Sequence, residues 1–284
     1  MRSLMPAMAV AAMLVTACAQ EASGPRLRGT VVDASGSGQQ AHEPSLRIAP
    51  PGIPARLPRV PASYNSVNTS RPVIALTFDD GPHPELTPKL LDLLRSQGVR
   101  ATFYVIGRNV EAHPDIARRI VAEGHEIANH SWGHPALTGL SATRLRQEIG
   151  NTSDVIERVT GRRPTSLRPP YGAINERVRQ TILKDYGMDV VLWSVDPLDW
   201  KRPGASEVAN RLVEGAAPGG ILLAHDIHPG TIEAMPETIA RLKAKGYAFA
   251  TVSQLLALQE PRSPKPAATP KPASPPASQQ ASIR

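Results

Sequence analysis

Short apolar runs alternate with helical patterns through the middle of this chain, and that alternation limits the folds available to it. Seven apolar runs predict strands at 73–78, 101–107, 126–129, 166–168, 189–195, 220–225 and 248–251. A helical pattern follows each of them. Such alternation implies a parallel sheet with right-handed crossovers. No glycine-rich phosphate-binding turn follows the first run, so we expect a closed or nearly closed barrel rather than an open doubly wound sheet.

Prolines, glycines and capping residues set the expected helix boundaries. The predicted helices open at Thr87, Pro114 and Ser141, span 175–185, 206–215 and 236–245, and end with a short helix capped by Ser253. Pro236 is expected at the first helical position, where a missing N–H group is tolerated.

The N-terminal end of the chain resembles an export signal. Arg2 precedes an apolar stretch from Leu4 to Ala17, which is shorter than the ~20 residues needed to span a bilayer, so 1–17 is predicted to be a signal peptide. The residues Val-Thr-Ala-Cys that end at Cys18 resemble the cleavage box of bacterial lipoproteins, in which the cysteine becomes the lipid-modified N terminus. Cleavage by ordinary signal peptidase is the alternative. Ala19 resembles the pattern that sorts lipoproteins to the outer membrane in a Gram-negative host, on its periplasmic side.

Two terminal segments lack the pattern of a folded domain. Residues 18–70 are rich in Ala, Ser, Gly, Pro and Gln, and we expect them to form a lipidated, flexible tether. Residues 259–284 are rich in Pro, Ala, Ser and Lys and are expected to be a disordered tail.

Charge and cysteine content narrow the classes of partner. The formal net charge is +7 and the pI about 9.8, which is compatible with nucleic acid, an anionic wall or a membrane surface. Aromatic residues make up 4% of the chain and no basic stripe is interleaved with them, so nucleic-acid binding is not expected. With Cys18 as the single cysteine, an intramolecular disulfide is excluded.

Five polar clusters follow five of the predicted strands. They are Asp79–Asp80, His130 with His134, Arg168 to Gly172, Asp196 to Trp200, and His225 with Asp226. The carboxyl ends of barrel strands converge on one mouth, where active sites lie. Each cluster alone has an ordinary interpretation as a turn, a helix face, a rigid loop or a core residue. Together they predict a catalytic site.

A metal ion is the expected counter-charge at this mouth. Two adjacent carboxylates, Asp79 and Asp80, are unfavourable at a buried strand end unless positive charge compensates them. One aspartate with His130 and His134 would leave a divalent metal open positions for water and substrate, which is typical of a catalytic site.

The five clusters resemble the motifs of the polysaccharide deacetylase family, carbohydrate esterase family four. In chain order they are Thr-Phe-Asp-Asp-Gly ending at Gly81, His-Ser-Trp-Gly-His ending at His134, Arg-Pro-Pro-Tyr-Gly ending at Gly172, Asp-Pro-Leu-Asp-Trp ending at Trp200, and Leu-Ala-His-Asp ending at Asp226. The resemblance covers about 71–258, the predicted catalytic domain. It implies an α/β fold, a distorted (β/α)7 barrel, with the N-terminal tether and C-terminal tail outside it.

The resemblance also implies a role for each matched residue. Asp80, His130 and His134 correspond to ligands of one divalent metal, for which zinc is expected and cobalt or nickel could serve. Asp79 corresponds to the catalytic base and Arg168 to the residue that pairs with it. In the other motifs, the implied residues are the oxyanion-binding backbone N–H of Tyr171, the general acid His225 with its orienting carboxylate Asp199, and the apolar walls Trp200 and Leu223.

We therefore expect a monomeric, lipid-anchored enzyme that removes N-acetyl groups from N-acetylglucosamine in an envelope polysaccharide. Peptidoglycan is the expected polysaccharide. The alternatives are a deacetylase of chitin oligomers, an exopolysaccharide or acetylated xylan, and a non-catalytic glycan-binding lipoprotein.

Overall fold

A computed structural model describes residues 60–261 as alternating parallel strands and helices. Within this part, the strands are β1 (Ser63–Tyr64), β2 (Val73–Asp79), β3 (Thr102–Val105), β4 (Glu126–Asn129), β5 (Ser166–Leu167), β6 (Asp189–Val191), β7 (Ile221–His225) and β8 (Ala248–Phe249). Its α-helices are α1 (Leu86–Ser96), α2 (Gly107–Ala112), α3 (Pro114–Ala122), α4 (Ala142–Thr160), α5 (Glu176–Gln180), α6 (Ala205–Gly215), α7 (Pro229–Ala244) and α8 (Val252–Leu256).

The sheet curls into a barrel. Its strand order is β1-β6-β5-β4-β3-β2-β7, with β8 paired to the start of β2, and every ladder is parallel. Beyond β6, Val195 forms a parallel bridge with Leu222 of β7, and Leu223 N–H donates to the Val195 carbonyl at 2.9 Å. This bridge connects the segment after β6 to β7 at the opposite side of the sheet, so the predicted (β/α)7 barrel is confirmed, with β1 as an additional strand.

The central strand β2 explains why the core is continuous. All seven of its residues are buried, as expected for a parallel strand with both faces covered. Phe78 packs on Phe103 of β3 with ring centroids 5.4 Å apart. On the outer side, α1 buries Leu90, Leu91 and Leu94 against this layer. The barrel therefore holds the end of β2 rigidly at the mouth.

Some predicted helix boundaries were wrong, and one short helix was not predicted. The helix expected to open at Pro236 begins at Pro229, and Pro236 lies inside it on the exposed face, where water can solvate the carbonyl that loses its donor. The last helix is capped by Thr251 through a capping box with Gln254, whereas Ser253 donates to Glu126 Oε1 at 2.6 Å. The short helix α2 was not predicted, because it spans only six residues.

The ordered domain also begins earlier than the predicted tether boundary at residue 70. Tyr64 of β1 pairs with Val191, and Val67 is buried and donates its N–H to the Gly219 carbonyl at 2.8 Å. Tertiary pairing thus recruits a segment whose composition resembles that of a linker.

The remaining predictions for the termini concern residues outside the described part. Cys18, the signal peptide and most of the tether lie in 1–59, and the tail beyond Pro261 lies in 262–284. Among the helices of residues 60–261, none combines the length and apolar character needed to cross a membrane.

Candidate active site

The end of β2 places two consecutive carboxylates at the mouth. Side chains alternate between the faces of a strand, so neighbours in a regular strand point apart. Asp79 is the last strand residue, and Asp80 leaves strand geometry with a φ of 76°. Asn109 holds this turn by donating from Nδ2 to the Asp80 carbonyl at 2.8 Å. The turn needs Gly81, because a Cβ there would overlap the carboxylate of Asp226. Both carboxylates consequently line one cavity.

The two histidines of the second motif converge on Asp80. The ring Nδ1 of His130 lies 2.7 Å from the carbonyl oxygen of Arg168, which can only accept, so Nδ1 carries the hydrogen. The Nε2 atom of His130 then faces Asp80 Oδ1 at 3.4 Å, and the Nε2 atom of His134 lies 3.2 Å from the same oxygen. One ligand atom from each of the three residues lies within 4.8 Å of the other two.

This cluster fits a bound divalent metal. Asp80 Oδ1 is buried and has no hydrogen-bond partner, although two imidazole nitrogens point toward it. Burial opposes ionisation of Asp80, but His130 and His134 lower its pKa to about 2, so it is a carboxylate at neutral pH. Burial, followed by the charge of His130, lowers the pKa of His134, which favours the neutral imidazole that metals bind. The donor set suits a transition metal better than calcium or magnesium.

Asp79 is held by a buried ion pair with Arg168. The Nη1 atom of Arg168 donates to Asp79 Oδ1 at 2.7 Å and to Thr77 Oγ1 at 2.8 Å. The Nη2 atom donates to the Leu192 carbonyl at 2.9 Å, and the guanidinium lies 4.2 Å from the ring centroid of Tyr104. These contacts leave Asp79 Oδ2 on the metal-cluster side, 3.7 Å from His130 Nε2.

A second acid–base pair lies across the cavity. His225 ends β7, and its Nδ1 lies 2.8 Å from Asp199 Oδ1. Asp199 is buried and also accepts from the backbone N–H of His225 and the hydroxyl of Thr231, at 2.8 and 2.7 Å. Burial would lower the pKa of His225, but the hydrogen bond and charge of Asp199 raise it to about 9. His225 is therefore protonated at neutral pH.

The cavity between these groups has a volume of about 400 Å³. All three residues expected at its substrate-facing side, Tyr171, Trp200 and Leu223, line it. Tyr171 has a φ of 60° and is 70% exposed, and Trp200 is 51% exposed. In the described chain, the predicted site residues therefore line this cavity, except Arg168 and Asp199. These two are buried and contact the lining residues Asp79 and His225.

Sequence reasoning assigned no role to several supporting residues, although Thr77 and Asp196 belong to the matched motifs. Thr77 lies two residues before Asp79 on the same strand face, so the strand period could have indicated it. Trp193 and Asp196 line the cavity from the segment after β6. Thr231 contacts Asp199 from the first turn of α7, and no pattern in the sequence around Thr231 indicates that contact. Glu148, on α4, accepts a hydrogen bond from the backbone N–H of Trp132, between the two histidines.

Comparison with known proteins places these features in a family. The profile described as polysaccharide deacetylase matches residues 66–191. A curated relative named peptidoglycan-N-acetylmuramic acid deacetylase PdaC, from Bacillus subtilis, is 42% identical over 200 residues, covering 70% of this chain and 42% of the relative. A Bacillus cereus protein named peptidoglycan-N-acetylglucosamine deacetylase is 40% identical over 195 residues, covering 67% of this chain and 91% of the relative.

A solved structure shares the fold. The crystal structure of the Bc1960 peptidoglycan N-acetylglucosamine deacetylase, in complex with 4-naphthalen-1-yl-N-oxidanyl-benzamide, is 35% identical with a TM-score of 0.67, covering 71% of this chain and 95% of that one. The chain spans about two fifths of the length of the PdaC relative. The identity, the coverage and the barrel agree, and the chain belongs to the polysaccharide deacetylase family.

Proposed function

We propose that this protein is a metal-dependent hydrolase that removes N-acetyl groups from N-acetylglucosamine residues of an envelope polysaccharide, with peptidoglycan as the substrate. The observation that carries the proposal is the placement of a buried Asp79–Arg168 pair and a protonated His225–Asp199 pair around one cavity. General base and general acid thus face the same space beside a site for a metal ion.

Each group of site residues has a separate role in the proposed reaction. A divalent metal, for which we propose zinc, would polarise the amide carbonyl and acidify water when held by Asp80, His130 and His134. Asp79 takes a proton from the attacking water through Oδ2, the oxygen that Arg168 leaves free. The new C–O bond gives a tetrahedral oxyanion, and the backbone N–H of Tyr171 is assigned to stabilise it.

Collapse of that oxyanion breaks the C–N bond. The leaving amine must be protonated, and His225 donates the proton from Nε2, since Nδ1 is held by Asp199. Acetate and the free amino sugar are the products. Trp200 and Leu223 are assigned to the apolar walls that receive the acetyl methyl group.

A basic edge favours a carboxylate-bearing glycan over a neutral one. Lys201 and Arg202 are exposed directly after Trp200, and Lys201 Nζ lies 4.9 Å from the centroid of the Trp200 ring. Neither side chain pairs with a carboxylate within residues 60–261. Peptidoglycan carries carboxylates on its lactyl and peptide groups, whereas chitin oligomers are neutral. The names of the relatives support the same substrate class.

Acetate release from defined glycans tests the proposal. Wild-type protein should release acetate from purified sacculi, lose this activity after chelation, and regain it when Zn²⁺, Co²⁺ or Ni²⁺ is added. His130→Ala should reduce metal content and activity together while the circular dichroism spectrum is unchanged. No acetate from any glycan by metal-loaded protein would favour the glycan-binding alternative, and full activity without metal would reject the assigned site.

The substrate preference has its own test. Lys201→Gln with Arg202→Gln should raise KM on sacculi and reduce the salt dependence of the reaction, while kcat/KM on chitin oligomers is unchanged. Equal losses on both substrates would contradict recognition of carboxylates.

We also propose that Cys18 anchors the enzyme to the bacterial membrane, at the outer membrane if the host is Gram-negative. The supporting observation is the Val-Thr-Ala-Cys box behind a short apolar stretch. Wild-type protein should label with fatty acid and sediment with membranes, and Cys18→Ser should abolish both. A mature N terminus downstream of residue 18 would contradict the anchor.

A further inference from the structure

The loop between the two histidine ligands has a strained backbone. Ser131 and His134 have φ values of 66° and 63°, a region that disfavours residues with a side chain. Such residues persist only where surrounding contacts hold them. The loop would relax if released, and the imidazole of His134 would move with it.

Each N–H group from Ser131 to His134 donates to a side-chain oxygen. Ser131 N–H donates to Asn129 Oδ1 at 2.8 Å, and His134 N–H donates to Ser131 Oγ at 3.0 Å. The two N–H groups between them, of Trp132 and Gly133, donate to a single atom, Oε2 of a glutamate on α4, at 2.9 and 2.8 Å.

That glutamate, Glu148, is buried. Its side chain is 6% exposed, and its nearest cation is the exposed Arg144, with 3.6 Å between Arg144 Nη2 and Glu148 Oε1. A buried carboxylate is unfavourable unless hydrogen bonds compensate it. The two loop N–H groups supply that compensation, so the glutamate and the loop depend on each other.

Helix α4 anchors the loop a second time. Asn129, which accepts from Ser131, donates from Nδ2 to the carbonyl of Ile149 and to Ser153 Oγ, at 2.9 and 3.0 Å. On the other side, the N–H groups of Gly107 and Arg108 in α2 donate to the carbonyls of Ser131 and Trp132. The loop is therefore fixed between two helices.

We propose that Glu148 is a positioning residue for the metal site: its carboxylate holds the strained His130–His134 loop so that both imidazoles face Asp80. Glu148 does not touch the ligand nitrogens and acts through the backbone that joins them. The inference deepens the proposed function, because it concerns the same metal site. Loss of comparable supporting contacts lowers metal affinity in other proteins by about 10–100-fold.

Metal affinity of the full chain is the decisive measurement. We expect Glu148→Ala to weaken Co²⁺ and Zn²⁺ binding by about 10–100-fold in chelator competition and to change the visible absorption spectrum of the Co²⁺ form. A purely structural role would not change the ligand field at the metal. Glu148→Gln keeps an acceptor oxygen and should restore most of the affinity and the wild-type spectrum.

Glu157→Ala is the matched control. Glu157 lies on the same helix, is exposed and pairs with Arg163 instead of the loop, so this variant should bind metal like wild type. If Glu148→Ala does not fold, Glu148→Asp decides, since its carboxylate is retracted by one methylene and should also weaken binding.

Different results would overturn the positioning role of Glu148 and the deacetylase function. Wild-type affinity and spectrum in Glu148→Ala, or in Glu148→Asp where that variant decides, would overturn the positioning role and leave the deacetylase proposal intact. Wild-type protein that binds no divalent metal would overturn both.

Discussion

Arg168 shows how one side chain organises this site. It is the largest fully buried side chain of the described domain, and its guanidinium contacts Asp79, Thr77, a backbone carbonyl and the face of Tyr104. Its own carbonyl accepts from His130 Nδ1 and so selects the tautomer of a metal ligand. One residue thereby orients both the proposed base and a proposed ligand.

Breaking this ion pair should be strongly destabilising. We expect Arg168→Met to lower the free energy of unfolding by about 3–5 kcal/mol, because Asp79 would remain as an uncompensated buried charge. Urea unfolding followed by circular dichroism measures the change. Adding Asp79→Asn should recover part of the loss, since the unpaired charge is then removed. A double variant no more stable than Arg168→Met would contradict this explanation.

The pH dependence of activity should report on His225. Its folded-state pKa of about 9 lies above the ordinary value, so the proton is present at neutral pH and lost as pH rises through about 9. The basic limb of the kcat/KM profile should fall there. Because the pKa of His225 is higher in the folded than in the unfolded state, the His225–Asp199 pair also stabilises the fold. This stabilisation is complete below about pH 6.5 and is lost as pH rises through about 9.

Asp199→Asn tests the cause of that raised pKa. The variant removes the negative charge beside Nδ1, so the pKa of His225 should fall and the basic limb should move to lower pH. Measurements of acetate release from pH 6 to 10 suffice. An unchanged limb would mean that another group donates the proton.

At the scale of elements, the first strand shows why composition misplaced the domain boundary. β1 contains two residues, but its neighbours add long-range hydrogen bonds: Ala62 N–H donates to Asp189 Oδ1 at 2.9 Å, and Leu192 N–H donates to the Tyr64 carbonyl at 2.8 Å. The last described residues contact the segment that follows β1, where Glu260 Oε1 accepts hydrogen bonds from the N–H and the hydroxyl of Ser70.

A truncation series measures what this segment contributes. A chain that starts at residue 71 should be less stable than one that starts at residue 60, because it lacks β1 and the buried Val67. Burial of one valine side chain alone contributes about 1.5–3 kcal/mol. Chemical denaturation of the two chains, both ending at residue 261, makes the comparison. Equal midpoints and slopes would show that 60–70 is a tether after all.

At the scale of the whole molecule, the basic character belongs to the terminal segments. Ten of the 32 lysine and arginine residues, but only three of the 25 acidic ones, lie in 1–59 and 262–284. Residues 60–261 therefore have balanced charge, and the formal net charge of +7 comes from the ends. Long-range attraction to an anionic wall would act mainly through those segments, whereas Lys201 and Arg202 would act only at the edge of the active site.

This distribution predicts a separation of binding from catalysis. A chain of residues 19–284 should co-sediment with sacculi at low salt and be released as salt rises, whereas a chain of 60–261 should bind weakly at all salt concentrations. Both should hydrolyse short chitin oligomers at the same rate. Equal sedimentation of the two chains would contradict a role for the terminal charges in wall binding.

Local patterns were sufficient to predict much of the fold and to name residues that the structure brings together around one cavity. The apolar run of β2 is continuous because both faces of the strand are covered, so the position of this strand could be predicted from the sequence. Asp79, Asp80, His130, His134 and His225 were predicted because each follows such a run. Features without a local signal were missed, among them α2 and the opening of α7 at Pro229, seven residues before the proline that was expected to open it.

The sequence by itself determined which residue types stand at the strand ends, because strand and helix periods are local properties of the chain. Only the tertiary structure decided which of their atoms meet. The Arg168–Asp79 pair joins residues 89 positions apart, and the hydroxyl of Thr231 contacts Asp199 from the first turn of α7, 32 positions later in the chain. Such contacts depend on barrel closure at Val195 and Leu222 and on the left-handed turn at Asp80. They depend also on the hydrogen bonds between Glu148 and the histidine loop. These are consequences of packing between distant segments, and no window of sequence contains them.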